Sequence, residues 1–168
     1  NVDLNSGSLD VYMTNQVGCS FCSDPLYDNQ LNCETFGDSG NGIWMFDINM
    51  DEDTCDTAGG MYFNGNIFGY QLLLEGMEVY SVSGGLTDEY LDFLDFNTER
   101  DCDGDGIVDD FCNMILGASF DAGVIPPGEN QLLVTVEFFN FNEEEICFNL
   151  LGGQTLFSDD MGNEPDTF

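Results

Sequence analysis

Apolar residues alternate with polar ones in short runs along most of this chain, and almost nowhere do they recur at helical spacing. In residues 1–16, Val2 and Leu4 precede a break at Gly7-Ser8, after which Leu9, Val11 and Met13 alternate with Asp10, Tyr12 and Thr14. A period of two puts alternate side chains on one face of a strand, so this segment predicts two short strands in succession. Further runs at residues 61–63, 67–74, 77–82, 90–93, 114–120, 131–141, 146–150 and 155–157 are aromatic or β-branched and are separated by Gly, Asn, Asp or Pro. Strands so spaced and punctuated indicate an all-β fold, an antiparallel sandwich or jelly roll. Only residues 87–94 suggest a turn of helix.

Residues 17–60 lose this pattern. Cys, Gly, Asn and Asp dominate there, around one apolar cluster, Ile43-Trp44-Met45-Phe46. The expected organisation is therefore an N-terminal arm (1–16), a disulfide-stapled insertion belonging to the same domain (17–60), and a β-sandwich body (61–168) interrupted by an acidic loop at 101–112. Residues 11–17 and 61–67 are loosely alike (Val-Tyr-Met-Thr-Asn-Gln-Val and Met-Tyr-Phe-Asn-Gly-Asn-Ile), as though either could fill one first-strand position. Such an arm, with its own apolar row at Leu9, Val11 and Met13, is suited to adding a strand to a neighbouring molecule; the alternative is an arm folded back on its own domain.

Charge changes the picture most. There are 33 acids against a single base, Arg100, with no Lys or His, for a net charge of −32. A chain so acidic repels nucleic acid and anionic membrane surfaces, and it repels itself unless cations neutralise part of the charge. More than one bound divalent ion per chain is the expectation. Catalysis is not expected, because the usual general bases and the Schiff-base nucleophile are missing and no carboxylate pair stands out by its surroundings. No apolar run approaches the roughly 18 residues of a membrane span.

The acids are patterned for calcium. Asp101, Asp103 and Asp105 fall at alternate positions before Gly106, followed by the carbonyl of Ile107 and by Asp109. Calcium takes about six to eight oxygens, and D-x-D-x-D-G supplies three carboxylates, a sharp turn and a backbone carbonyl. Cys112 stands where an EF-hand would place its bidentate Glu, so Asp110, another acid or water must complete the ring. A Cys102–Cys112 bridge would hold the carboxylates together against their repulsion. A second candidate uses Asp47, Asn49, Asp51 and the carbonyl of Asp53, with Glu52 in place of the turn glycine.

Seven cysteines without zinc-type pairing read as disulfides formed outside the cell. Cys19, Cys22, Cys33 and Cys55 would staple the insertion, and Cys19-Ser20-Phe21-Cys22 has no second C-x-x-C to make a zinc site. Cys147, in the apolar run Ile146-Cys147-Phe148, is expected to be the spare, buried thiol. The chain opens at Asn1 without Met or a leader, as a mature secreted form would.

The acidic loop resembles those of dockerins and thrombospondin type 3 repeats. Residues 67–72 (Ile-Phe-Gly-Tyr-Gln-Leu), Ser83-Gly84-Gly85, 115–119 (Ile-Leu-Gly-Ala-Ser) and 124–128 (Val-Ile-Pro-Pro-Gly) before 132–136 resemble the cohesin-like β-sandwich modules of secreted bacterial proteins. The closing segments Glu145-Ile146-Cys147-Phe148 and 157–164 fit the same order. That resemblance covers roughly residues 61–168 and implies a nine-stranded jelly roll with a binding or scaffolding role. Its long insertions depart from the family and put dockerin binding in doubt. The lysine-free, acidic composition with calcium loops also resembles the tubular lake proteins, extracellular tube-forming subunits. This likeness implies strand exchange, with calcium at contacts between copies. Two functions follow: a secreted structural subunit whose partners are copies of itself, or a monomeric adhesion or carbohydrate-binding module using aromatics such as Trp44, Tyr27 or Tyr80.

Overall fold

A computed structural model of the chain describes residues 1–98, 101, 107–108, 111–141, 145–148 and 156–159. In chain order the strands are β1 (Val2–Asp3), β2 (Ser8–Asn15), β3 (Gly18–Cys22), β4 (Trp44–Asp47), β5 (Met61–Phe63), β6 (Gly69–Glu75), β7 (Glu78–Ser83), β8 (Phe93–Asn97), β9 (Cys112–Ala118), β10 (Gly128–Phe139), β11 (Cys147–Phe148) and β12 (Leu156–Ser158). Among the described residues three short α-helices, α1 (Gln30–Phe36), α2 (Glu52–Ala58) and α3 (Gly85–Tyr90), and a 3-10 turn at Gly37–Ser39 join them. The chain forms two compact units, one of Asn1–Thr14 with Ile67–Phe168, the other of Asn15–Asn66.

The first unit contains two sheets. One has the order β1-β2-β10-β7; the other runs β11-β6-β9-β8, with β12 also on β6. Strand β6 pairs antiparallel with β9 from Gly69↔Ala118 to Glu75↔Cys112, and β8 pairs with β9 from Phe93↔Ala118 to Asn97↔Met114. Leu72, Leu73 and Leu74 are buried in succession, so β6 is covered on both faces. Ile115, Leu133, Val134 and Val136 are also in the core, each side chain worth about 1.5–3 kcal/mol on burial. Gly117 faces Tyr70 across β9 and β6, and a Cβ there would collide with the tyrosine ring.

Two polar links tie this core together. The Tyr70 hydroxyl lies 2.8 Å from Thr87 Oγ1. Thr87 in turn donates to the Leu133 carbonyl at 2.8 Å. A hydroxyl has one proton, so Tyr70 donates to Thr87, and the chain runs from β6 through α3 to β10. Burial above all pushes the Tyr70 phenol up to about 12, so it stays protonated and keeps donating. The second link is Asn113, whose amide spans the crossover from β6 to β7.

The second unit is a small sheet, β4-β3-β5, pinned by two disulfides. Cys19 bonds Cys55 on α2, while Cys22 bonds Cys33 on α1. Residues three apart in a strand point to opposite faces, so one helix is stapled to each side of β3. This geometry separates the two sulfurs of the C-x-x-C run. The helices escaped the sequence pattern because seven residues make barely two turns. Their caps supply the definition: Asn29 accepts from the Asn32 N–H at 3.0 Å, and Asp51 accepts from the Thr54 N–H at 2.9 Å.

Residues Met61–Phe63 differ from expectation. They pair with β3, at Gly18↔Phe63, Cys19↔Tyr62 and Ser20↔Met61, and do not share a position with the N-terminal arm. Cys147 also corrects its expected burial. It is a free, exposed thiol on the two-residue strand β11, because that strand lies at a sheet edge.

Candidate calcium loops and the N-terminal strand

The acidic loop lies in the chain between two paired strands. Strands β8 and β9 are antiparallel neighbours ending at Asn97↔Met114, so the intervening residues leave and re-enter one hairpin. Cys112, at the re-entry, is buried and disulfide-bonded. Phe111, one residue earlier, has φ 63° and its carbonyl accepts from the Gly76 N–H at 3.0 Å. Of the expected ligands, Asp101 is half-buried and Ile107 is exposed. Asp103, Asp105, Asp109, Asp110 and Cys102, the cysteine expected to bridge to Cys112, lie outside the described residues. The donor set expected from the sequence, carboxylates and a carbonyl with no sulfur or imidazole, is of the type that suits a hard cation such as Ca2+.

The second acidic run makes hydrogen bonds within itself and caps a helix. Asp47 Oδ1 accepts from the Asn49 backbone N–H at 2.8 Å and from its side-chain amide at 3.2 Å. Asp51 caps α2, and its hydrogen bonds from Thr54 lower its pKa. Asp53 lies in the first turn of α2, where its carbonyl accepts from Thr57 Oγ1 at 2.9 Å. Among the described residues no three His, Cys, Asp or Glu side chains are grouped to hold a metal ion.

The arm occupies a place in its own sheet, between β1 and β10. Leu9, Val11 and Met13 are buried, while Tyr12 is 47% exposed on the opposite face. Hydrogen bonds seat the arm against β10. Phe138 N–H donates to the Gly7 carbonyl at 2.8 Å, Thr135 Oγ1 to Asp10 Oδ1 at 2.9 Å, and Asn130 N–H to Thr14 Oγ1 at 3.0 Å. Positions rise along β2 as they fall along β10, the antiparallel sense. Gly7, at φ 67°, is required here, because a Cβ would strike the Phe138 carbonyl. The turn before it is held by Asp3, whose Oδ1 accepts from the Asn5 N–H at 2.9 Å. On its other side β2 is covered by β1 at only Val2↔Leu9 and Asp3↔Ser8. The Asn1 amino group adds a bond to the Asp10 carbonyl at 2.7 Å.

The aromatics weighed for sugar binding separate. Trp44 and Tyr27 are half-buried in the second unit, whereas Tyr80 is half exposed on β7 beside Phe139 of β10. Sequence reasoning missed Phe139, because only the register of β10 on β7 brings it to Tyr80. No helix among the described residues is long and apolar enough to cross a membrane. Neither the family models, the curated proteins nor the solved structures contain a match to this chain.

Proposed function

We propose that the chain is a calcium-binding, extracellular structural subunit that assembles with its own copies by exchanging the N-terminal strand, and that it is not an enzyme. Its body is read as a cohesin-like jelly roll. The observation that carries this reading is the placement of β2: a strand with three buried apolar residues, seated on β10 yet separated from it in sequence by the whole Asn15–Asn66 unit. A copy that lends residues Asn1–Thr14 and receives a neighbour's makes the same buried contacts and the same hydrogen bonds. Exchange of an identical element therefore costs little in contacts, and repeated from copy to copy it generates a fibre or tube.

Charge explains the need for calcium. Each copy carries a net charge of −32, and bringing copies together raises local repulsion that divalent ions offset. The loop at 101–112 is the proposed site, with Asp101, Asp103, Asp105, Asp109 and the Ile107 carbonyl as ligands. Disulfides in the second unit fit an oxidising, extracellular setting. Light scattering and electron microscopy of the purified chain, with millimolar calcium and then with chelator, test the proposal. Polymers that shorten or dissolve in chelator are expected; a monomer indifferent to calcium at all concentrations would reject it.

A further inference from the structure

The outer face of the β7–β10 pair carries a second candidate site that does not depend on assembly. Tyr80 and Phe139 are each 50% exposed. Their ring centroids lie 5.8 Å apart with the planes 39° from parallel, so they form an open V. Glu78 stands opposite Phe139 in the strand register, and on the same face as Tyr80 two residues on. Asn140, held at φ 51°, donates its side-chain amide to Glu78 Oε2 at 2.9 Å. That bond pairs an amide with a carboxylate next to the two rings in the strand register, and uses only part of the carboxylate's accepting capacity.

We infer that this face binds an amino sugar, in the form of a deacetylated β-linked glucosamine polymer. Aromatic faces take up the apolar C–H face of a pyranose, and the adjacent amide and carboxylate suit its hydroxyl and amino groups. The rings also attract a cation lying within about 6 Å of their centroids. Charge selects among sugars: a chain with net charge −32 disfavours acidic polysaccharides and favours an ammonium-bearing one.

Any polycation will adhere weakly to so acidic a protein, so the test is calorimetric titration of the full chain at about 0.5 M salt, where long-range attraction is largely screened. The probes are a glucosamine hexamer, its N-acetylated counterpart, a glucose hexamer and a lysine hexapeptide. Saturable binding of the glucosamine hexamer is expected, with at least tenfold weakening in Tyr80→Ala and in Phe139→Ala, whose net charge is unchanged. Glu78→Gln is expected to remove the preference for the free amine, and Tyr80→Phe to retain binding. Glu78→Gln and Tyr80→Phe alter little but one polar atom, so they decide the matter even if an alanine variant fails to fold. Absence of saturable binding, equal binding by the lysine peptide, or unchanged binding by folded alanine variants would each overturn the assignment.

Discussion

The Asn113 side-chain carbonyl accepts a hydrogen bond from the Val79 N–H at 3.1 Å. This joins a strand of one sheet of the larger unit to a strand of the other. The same side chain donates to the Met77 carbonyl at 2.7 Å and to the Leu74 carbonyl at 3.3 Å, so one buried amide clamps the crossover around Gly76. Replacing it with leucine removes three hydrogen bonds at once and orphans the Val79 N–H. Asn113→Leu is expected to cost about 3 kcal/mol, and Asn113→Asp more, because a carboxylate oxygen would face two carbonyls. Urea unfolding curves of the three proteins check the order.

The two staples of the second unit differ in the loop they close, with sequence separations of 36 and 11. Loop entropy then gives about 4 kcal/mol for Cys19–Cys55 and about 3 kcal/mol for Cys22–Cys33. Trp44, the one tryptophan, sits in β4 of this unit and reports its unfolding. Paired serine variants followed by its fluorescence should lose stability in that order. Equal losses would show that strain or residual structure outweighs chain entropy.

Acid acts in two opposed ways. Protonating carboxylates relieves the net charge, yet Asp51 and Asp92 have pKa values below the usual 3.8, through hydrogen bonds to Thr54 and to the Phe120 N–H. A depressed folded pKa means a contribution present above the unfolded pKa and lost as pH falls through the folded one. The stability gaps between parent and Asp51→Asn, and between parent and Asp92→Asn, should therefore be full near pH 7 and shrink below about pH 4. Melting curves across that range measure both gaps.

The strands of the larger unit were largely legible because alternation survives wherever one sheet face is buried, as at Leu9, Val11 and Met13. The C-x-x-C run reads as structural, but its connectivity is hidden in the sequence. It depends on Cys19 and Cys22 pointing to opposite faces of β3, toward helices too short to leave a period. Apolar neighbours suggest burial for Cys147, whereas a two-residue edge strand buries little. Within the alternate acids at 47–53, Asp51 serves as a helix cap, a use of its oxygen that spacing alone does not reveal.

Strand exchange is tested most directly by a covalent report on where β2 docks. In a Cys147→Ser background, Asp10→Cys and Thr135→Cys replace two side chains that meet at 2.9 Å across β2 and β10. After assembly in calcium and oxidation, non-reducing electrophoresis should display a ladder of covalent multimers that collapses to one band on reduction. Oxidised product that runs solely as monomer, from calcium-grown polymers, would contradict exchange of the N-terminal strand.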